Sequence, residues 1–218
     1  MRRKLTLTGK LNHSDNLDKS SISYSKVAFI GPDQRRILCI FGPPASKAGK
    51  DDKLSDTPFV VPTALYYNCS GVLVGWGYDT VPGAKRLRHF KQSMLHEDDW
   101  HADARTWSVL TDSVKTRNDL QMKAVDTWAT YIGQLWDVCK EQILKGQETG
   151  MNELTFRWIV TLPASWPHHR FQEAFDKSVL SSLRSNDPVM FLTEAEAAVD
   201  TVLDLLGGEQ LHDVDVQV

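Results

Sequence analysis

The sequence predicts an α/β fold in which antiparallel strands come first and a βαβα unit follows. Three observations carry this. Short β-rich runs between turn residues occupy the N-terminal part, a long amphipathic helical period occupies the middle, and two compact apolar runs each lead into a further helix. Two strands separated by a helix imply a parallel pair with a crossover, because parallel strands cannot be joined by a tight turn.

The elements follow in order. Leu5 and Leu7 alternate with Lys4, Thr6 and Thr8, a weak strand signal in an otherwise polar stretch. Asn12 to Ser21 has the composition of loop or disorder, so residues 1–23 are expected to form a poorly ordered N-terminal segment. Tyr24 to Ile30 and Ile37 to Phe41 read as a hairpin around Gly31-Pro32-Asp33. Gly42 to Asp56 has loop composition. Thr63 to Tyr67 and Val72 to Val74 read as two short strands about a turn at Ser70-Gly71. After Pro82, Leu87, Phe90, Met94 and Leu95 share one helical face, so a helix is expected there; from His96 to Asn118 no period dominates. Met122, Val125, Ala129, Ile132, Trp136, Cys139 and Ile143 step by three or four residues from Leu120 on, an amphipathic helix of about six turns. Leu154 to Leu162 is a compact apolar run ended by Pro163, which suits a buried central strand. Pro167 opens a helix carrying Phe171, Ala174, Phe175, Val179 and Leu183. Val189 to Leu192 is a short strand. Thr193 is an N-cap with Glu196 three residues on, a capping box for a helix through Ala197, Ala198, Val202 and Leu205 to Gly207-Gly208.

The chain has 218 residues, 41% hydrophobic and 24% charged, enough for a buried core and ordinary for a globular protein. A net charge of -3 without a basic stripe argues against a nucleic-acid partner. The run Lys85, Arg86, Arg88, His89, Lys91 reads as a solvated helix face. Cys39, Cys69 and Cys139 form no CxxC pair, which excludes a zinc ribbon or disulfide framework and favours free thiols in a reducing compartment. No apolar region follows Met1-Arg2-Arg3-Lys4 and no run approaches the length of a membrane span, so a cytoplasmic protein with no membrane partner is expected.

Few stretches carry chemistry. Gly42 to Asp51 looks superficially like a phosphate loop, but Pro44 stands where glycine is needed and Asp51 where serine or threonine is needed. His96-Glu97-Asp98-Asp99-Trp100-His101 collects ligand types, yet its histidines are five apart and do not converge on one helical face; a solvated acidic loop fits better. His168-His169 read as helix-start surface residues. Thr161-Leu162-Pro163-Ala164 and Thr193-Glu194 stand at the ends of the two parallel strands, where open α/β sheets bind ligands. The plainer account is strand-to-helix punctuation, with Glu194 serving the helix dipole.

Thr161-Leu162-Pro163-Ala164-Ser165-Trp166, then a helix, then Phe191-Leu192-Thr193-Glu194-Ala195-Glu196-Ala197-Ala198, resembles the nucleotide-binding lobe of the seventy-kilodalton heat-shock chaperones, which has a T-V-P-A segment, a helix and an E-P-x-A-A-A segment. Tyr24-Ser25-Lys26-Val27-Ala28 resembles the family strand after its first phosphate loop. Val61-Pro62-Thr63-Ala64-Leu65-Tyr66 is similar to its P-S-x-x-x-Y segment, Val74-Gly75-Trp76-Gly77 to its V-G-x-x-A segment, and Phe90-Lys91-Gln92-Ser93-Met94-Leu95 to a helix soon after.

The resemblance implies a ribonuclease-H-like lobe of the actin-like ATPase superfamily over residues 24–207, antiparallel hairpin strands plus a βαβα unit, with 208–218 as a truncated C-terminal tail. It implies ATP and Mg2+ as ligands in a cleft between two lobes. Glu194 matches the family's catalytic glutamate and Pro163 its relay proline, with Ser21, Ser23, Tyr24 and Thr161 at the remaining nucleotide-binding positions. The departures are specific. Lys19-Ser20-Ser21-Ile22-Ser23 stands in place of D-x-G-T-T, the lysine after V-G-x-x-A has no counterpart near Gly77, and no glycines follow Asp213 or Asp215 as in D-x-G-G-G-T. The sheet is expected to lack its first strand unless Lys4 to Leu11 supplies one. The functional expectation is an incomplete chaperone-type ATPase homologue, of a family with ATP-binding and chaperone-like roles, that does not hydrolyse ATP alone and whose missing lobe comes from another protein chain. The alternatives are a non-catalytic interaction module that pairs with another chain, or an unrelated α/β enzyme with its site near His96, Asp98 and His101.

Overall fold

The computed structural model describes residues 2–10, 24–30, 36–38, 60–95, 108–144, 155–162, 166–178 and 189–199. The fold is α/β. Its larger sheet is built from β1 (Arg2–Lys10), β2 (Tyr24–Ile30), β3 (Arg36–Leu38), β4 (Val61–Pro62), β8 (Thr155–Leu162) and β9 (Val189–Thr193). The order is β3-β2-β1-β8-β9, with β4 also pairing β2. β2 runs antiparallel to β1, β3 and β4, whereas β1, β8 and β9 are mutually parallel. The expected hairpin and parallel pair are both present. The alternation at Leu5 and Leu7 belongs to β1, which sits between β2 and β8 and supplies the strand the sheet was expected to lack. The remaining residues of 1–23 lie outside the described residues, as do residues 208–218.

β8 shows why a run without alternation marks a central strand. Trp158, Ile159, Val160, Thr161 and Leu162 are buried in succession, which requires cover on both faces of the sheet. A long helix, α2 (Ala124–Leu144), covers the face that carries Trp158, Val160 and Leu162, together with α3 (His168–Ser178). The ring of Trp158 meets Trp136 of α2 at 4.9 Å and Phe175 of α3 at 5.2 Å, both edge to face.

A second, three-stranded sheet has the order β6-β5-β7, from β5 (Ala64–Tyr67), β6 (Leu73–Trp76) and β7 (Lys85–Arg88). The turn from β5 to β6 forms because the Asn68 Oδ1 accepts the N–H groups of Ser70 and Val72, each at 2.9 Å. Gly77 closes β6 with a φ of 58°, and a Cβ there would stand 2.6 Å from the Val61 Cγ2.

Two expectations are corrected. The stretch after Pro82 is not a helix. Lys85–Arg88 is an edge strand, and only Gln92–Met94 turns, as a short 3-10 segment. Leu87 faces the core as a strand residue while Phe90 and Met94 reach the same core beyond the left-handed His89, φ 52°. Their common face reflects tertiary packing rather than helical period. The basic run is likewise not a solvated helix face: His89 and Lys91 are buried.

The stretch without a clear period contains α1 (Ser108–Asp119), which buries Leu110 and Val114. Its Ser113 Oγ accepts the Arg88 N–H at 2.8 Å and donates back to the Arg88 carbonyl. One serine thus serves the outer edge of β7 as a neighbouring strand would. Left-handed Gln121, φ 55°, ends α1 before α2 begins.

Candidate functional site

The strand registers bring several expected site residues to one end of the larger sheet. Lys10 pairs with Tyr24, Thr8 with Thr161, Thr161 with Leu192 and Leu162 with Thr193. The start of β2 and the carboxyl ends of β1, β8 and β9 therefore lie together. Tyr24, Thr161 and Glu194 sit at this end. Ser21, Ser23 and Pro163 lie outside the described residues. The Thr161 side chain is 3% exposed and belongs to the strand interior.

A helix, α4 (194–199), leaves β9 through the expected capping box. The Thr193 N–H donates to Glu196 Oε2 at 2.7 Å, and the Glu196 N–H donates to Thr193 Oγ1 at 3.1 Å. Glu196 is thereby committed to the cap and Glu194 is not. Glu194 is half-buried. Burial raises its carboxyl pKa, and the charge of Lys91 opposes that rise.

Lys91 is the residue that sequence reasoning missed. It is 5% exposed, and its Nζ lies 5.3 Å from the centroid of the Trp128 ring. Burial draws its pKa down to about 8, against the attraction of Glu194. The two charges act on each other without forming a contact ion pair. The segment that carries Lys91 is fixed at both ends. The left-handed His89 turns the chain out of β7, and the Arg170 guanidinium of α3 donates to the Met94 carbonyl at 2.6 Å. Phe90 and Tyr131 pack around Trp128, at 5.9 and 5.6 Å between ring centroids. The Trp128 indole N–H is buried and has no hydrogen-bond partner among the described residues. A buried ammonium, a spare indole donor and a half-buried carboxylate thus lie near the carboxyl ends of β8 and β9. The signal in the sequence was a lone lysine between Phe90 and Met94, in a segment otherwise placed in the core.

A buried hydroxyl cluster lies beside this sheet end. Ser25 Oγ and Thr63 Oγ1 are 3.0 Å apart, and the Tyr131 hydroxyl donates to the Pro62 carbonyl at 3.3 Å. Burial raises the Tyr131 pKa, so the phenol stays protonated and serves as a tie between β2, β4 and α2.

His168 and His169 are exposed at the start of α3, as expected, and His168 stacks on Phe191 at 5.9 Å. The Gly42–Asp51 and His96–His101 stretches lie outside the described residues. Cys69 is exposed and Cys139 buried, and neither is in a disulfide among the described residues. Among the described residues, no group of three or more His, Cys, Asp or Glu side chains gathers to hold a metal ion, and no helix is long and apolar enough to cross a membrane. No protein-family model matches the chain, and no curated protein matches it.

Proposed function

We propose that this chain is a ribonuclease-H-like lobe of an actin-like ATPase, of the heat-shock chaperone type, that binds ATP with magnesium weakly and does not hydrolyse it alone. The observation that carries this is the buried Lys91 ammonium over the Trp128 ring, together with Glu194 just beyond the carboxyl end of β9, which pairs in parallel with β8. The strand order β3-β2-β1-β8-β9, with β2 reversed, supports the fold part of the proposal.

The residues fit a phosphate group. A buried ammonium that forms no ion pair among the described residues gains most from an anion that shares its low-dielectric site. Lys91 would hold the phosphate chain, the Trp128 ring would fix the ammonium and exclude water, and Glu194 would orient a water molecule near the terminal phosphate. Magnesium bound with the nucleotide supplies charge neutralisation of the phosphates. Glu194 is the carboxylate available toward such an ion; Glu196 is held in the cap. Weak binding follows from Lys19-Ser20-Ser21-Ile22-Ser23, where a family phosphate loop has its aspartate and glycine. The proposed partner is another chain whose lobe faces these strand ends.

Calorimetric titration of ATP–magnesium into the chain and into Lys91→Met and Glu194→Gln tests the proposal. Saturable binding that Lys91→Met weakens tenfold or more supports it. Absence of saturation, or equal affinity in Lys91→Met, refutes it. A non-catalytic module that pairs with another chain is the second proposal. One observation favours it: β9 ends the sheet order among the described strands and carries Met190 at 47% exposure.

A further inference from the structure

The second sheet has a charged face unrelated to the strand ends described above. Antiparallel register places Arg86 opposite Tyr66 and Arg88 opposite Ala64, so both arginines share the Tyr66 face of β7. Leu65, Tyr67 and Leu87 take the opposite, core-facing side. Both arginines are half-buried. The Arg86 guanidinium carbon lies 5.3 Å from the Tyr66 ring centroid, while its Nε is a buried donor with no hydrogen-bond partner among the described residues. Among the described residues no carboxylate forms an ion pair with either arginine. Asp79, the carboxylate whose charge reaches Tyr66, accepts the Trp76 N–H at 2.9 Å. The two guanidiniums therefore concentrate positive charge. Arg86 opposes the charged state of Arg88, and both oppose protonation of buried His89.

We propose that Arg86 and Arg88, with Tyr66 as the platform, form a binding site for a phosphate dianion, either free or carried as a monoester. Alternate residues of a strand stand about 7 Å apart at Cα. Two flexible guanidinium forks at that spacing reach a single tetrahedral dianion from two sides, and each fork matches a pair of its oxygens. Two charges on the ligand meet the two charges of the site. The repulsion between the arginines is relieved.

The test uses the full chain at low ionic strength with inorganic phosphate and phosphoserine as probes. Titrations are made in wild-type protein and in a Lys91→Met background, so that the proposed nucleotide site does not contribute. Phosphate binding that persists in Lys91→Met, and falls tenfold or more when Arg86→Gln and Arg88→Gln are added, supports the site. Arg86→Lys with Arg88→Lys keeps the charge and loses the forks, and is expected to weaken binding several-fold. A measurement without variants runs beside these. Phosphate is expected to protect Arg86 and Arg88 from phenylglyoxal in wild-type protein, read by peptide mass spectrometry, with the arginines outside both proposed sites as the reference. Tighter binding of phosphoserine than of phosphate identifies a monoester as the ligand; the reverse identifies the free ion. Equal phosphate affinity without the two arginines, or equal modification rates with and without phosphate, overturns the proposal.

Discussion

Lys91→Met is expected to stabilise the protein at neutral pH. The Lys91 pKa falls from the ordinary 10.5 to about 8, with burial as the cause and Glu194 as a partial offset. At about 1.4 kcal/mol per tenfold change in a proton equilibrium, keeping this ammonium charged inside the fold costs about 3 kcal/mol. Methionine retains an apolar stem of similar reach and removes the charge. The expected gain of up to about 3 kcal/mol corresponds to a rise in Tm of roughly 6–12 °C for a chain of this size. The pH dependence follows from linkage. As pH falls from 10.5 to about 8, the unfolded chain binds the Lys91 proton and the folded chain does not, so wild-type stability is lost across that window. The advantage of Lys91→Met is therefore full below pH 8 and shrinks steeply by pH 10. Thermal and urea unfolding of both proteins at pH 7 and pH 10 measure it. Lys91→Arg, which keeps its charge at every pH, is expected to gain nothing. A Lys91→Met variant that melts at or below wild type at pH 7, or that keeps the same advantage at pH 10, refutes the argument that Lys91 is a buried, strained cation.

Two further outcomes are expected. The His89 pKa is drawn down from 6.5 to about 4 by burial, then by Arg88 and Arg86, so stability is lost as pH falls from 6.5 to 4, by up to about 3 kcal/mol. His89→Asn tolerates the left-handed φ of 52° and should flatten that window; an unchanged acid slope in its urea midpoints counts against the assignment. Gly77→Ala places a Cβ 2.6 Å from the Val61 Cγ2 at a φ of 58°, and is expected to cost about 1–3 kcal/mol, measured as a lower urea midpoint.

The pieces legible in the sequence were those whose signal is local. Alternation and turn residues announced β2 with β3 and β5 with β6. The three-to-four step of apolar residues announced α2, although Leu120 and Met122 belong to the turn before it and pack on the same core. Thr193 and Glu196 announced the cap of α4 because both partners lie within one helical turn. Thr161 and Glu194 share one sheet end because β8 and β9 are parallel, and Tyr24 joins them because antiparallel β2 starts where β1 ends.

What tertiary structure decided depended on residues far apart in the chain. Leu87, Phe90, Met94 and Leu95 satisfy a helical face by spacing, yet Lys85–Arg88 extends because β5 offers hydrogen bonds on one side and Ser113 on the other. β1 has little apolar pattern of its own and takes its place from β2 and β8, which flank it. Lys91 and Glu194 are each ordinary in sequence. Lys91 is set by contacts distant in the chain, Arg170 holding the Met94 carbonyl and Trp128 lying beside the ammonium, and burial strengthens the influence of Glu194 on it.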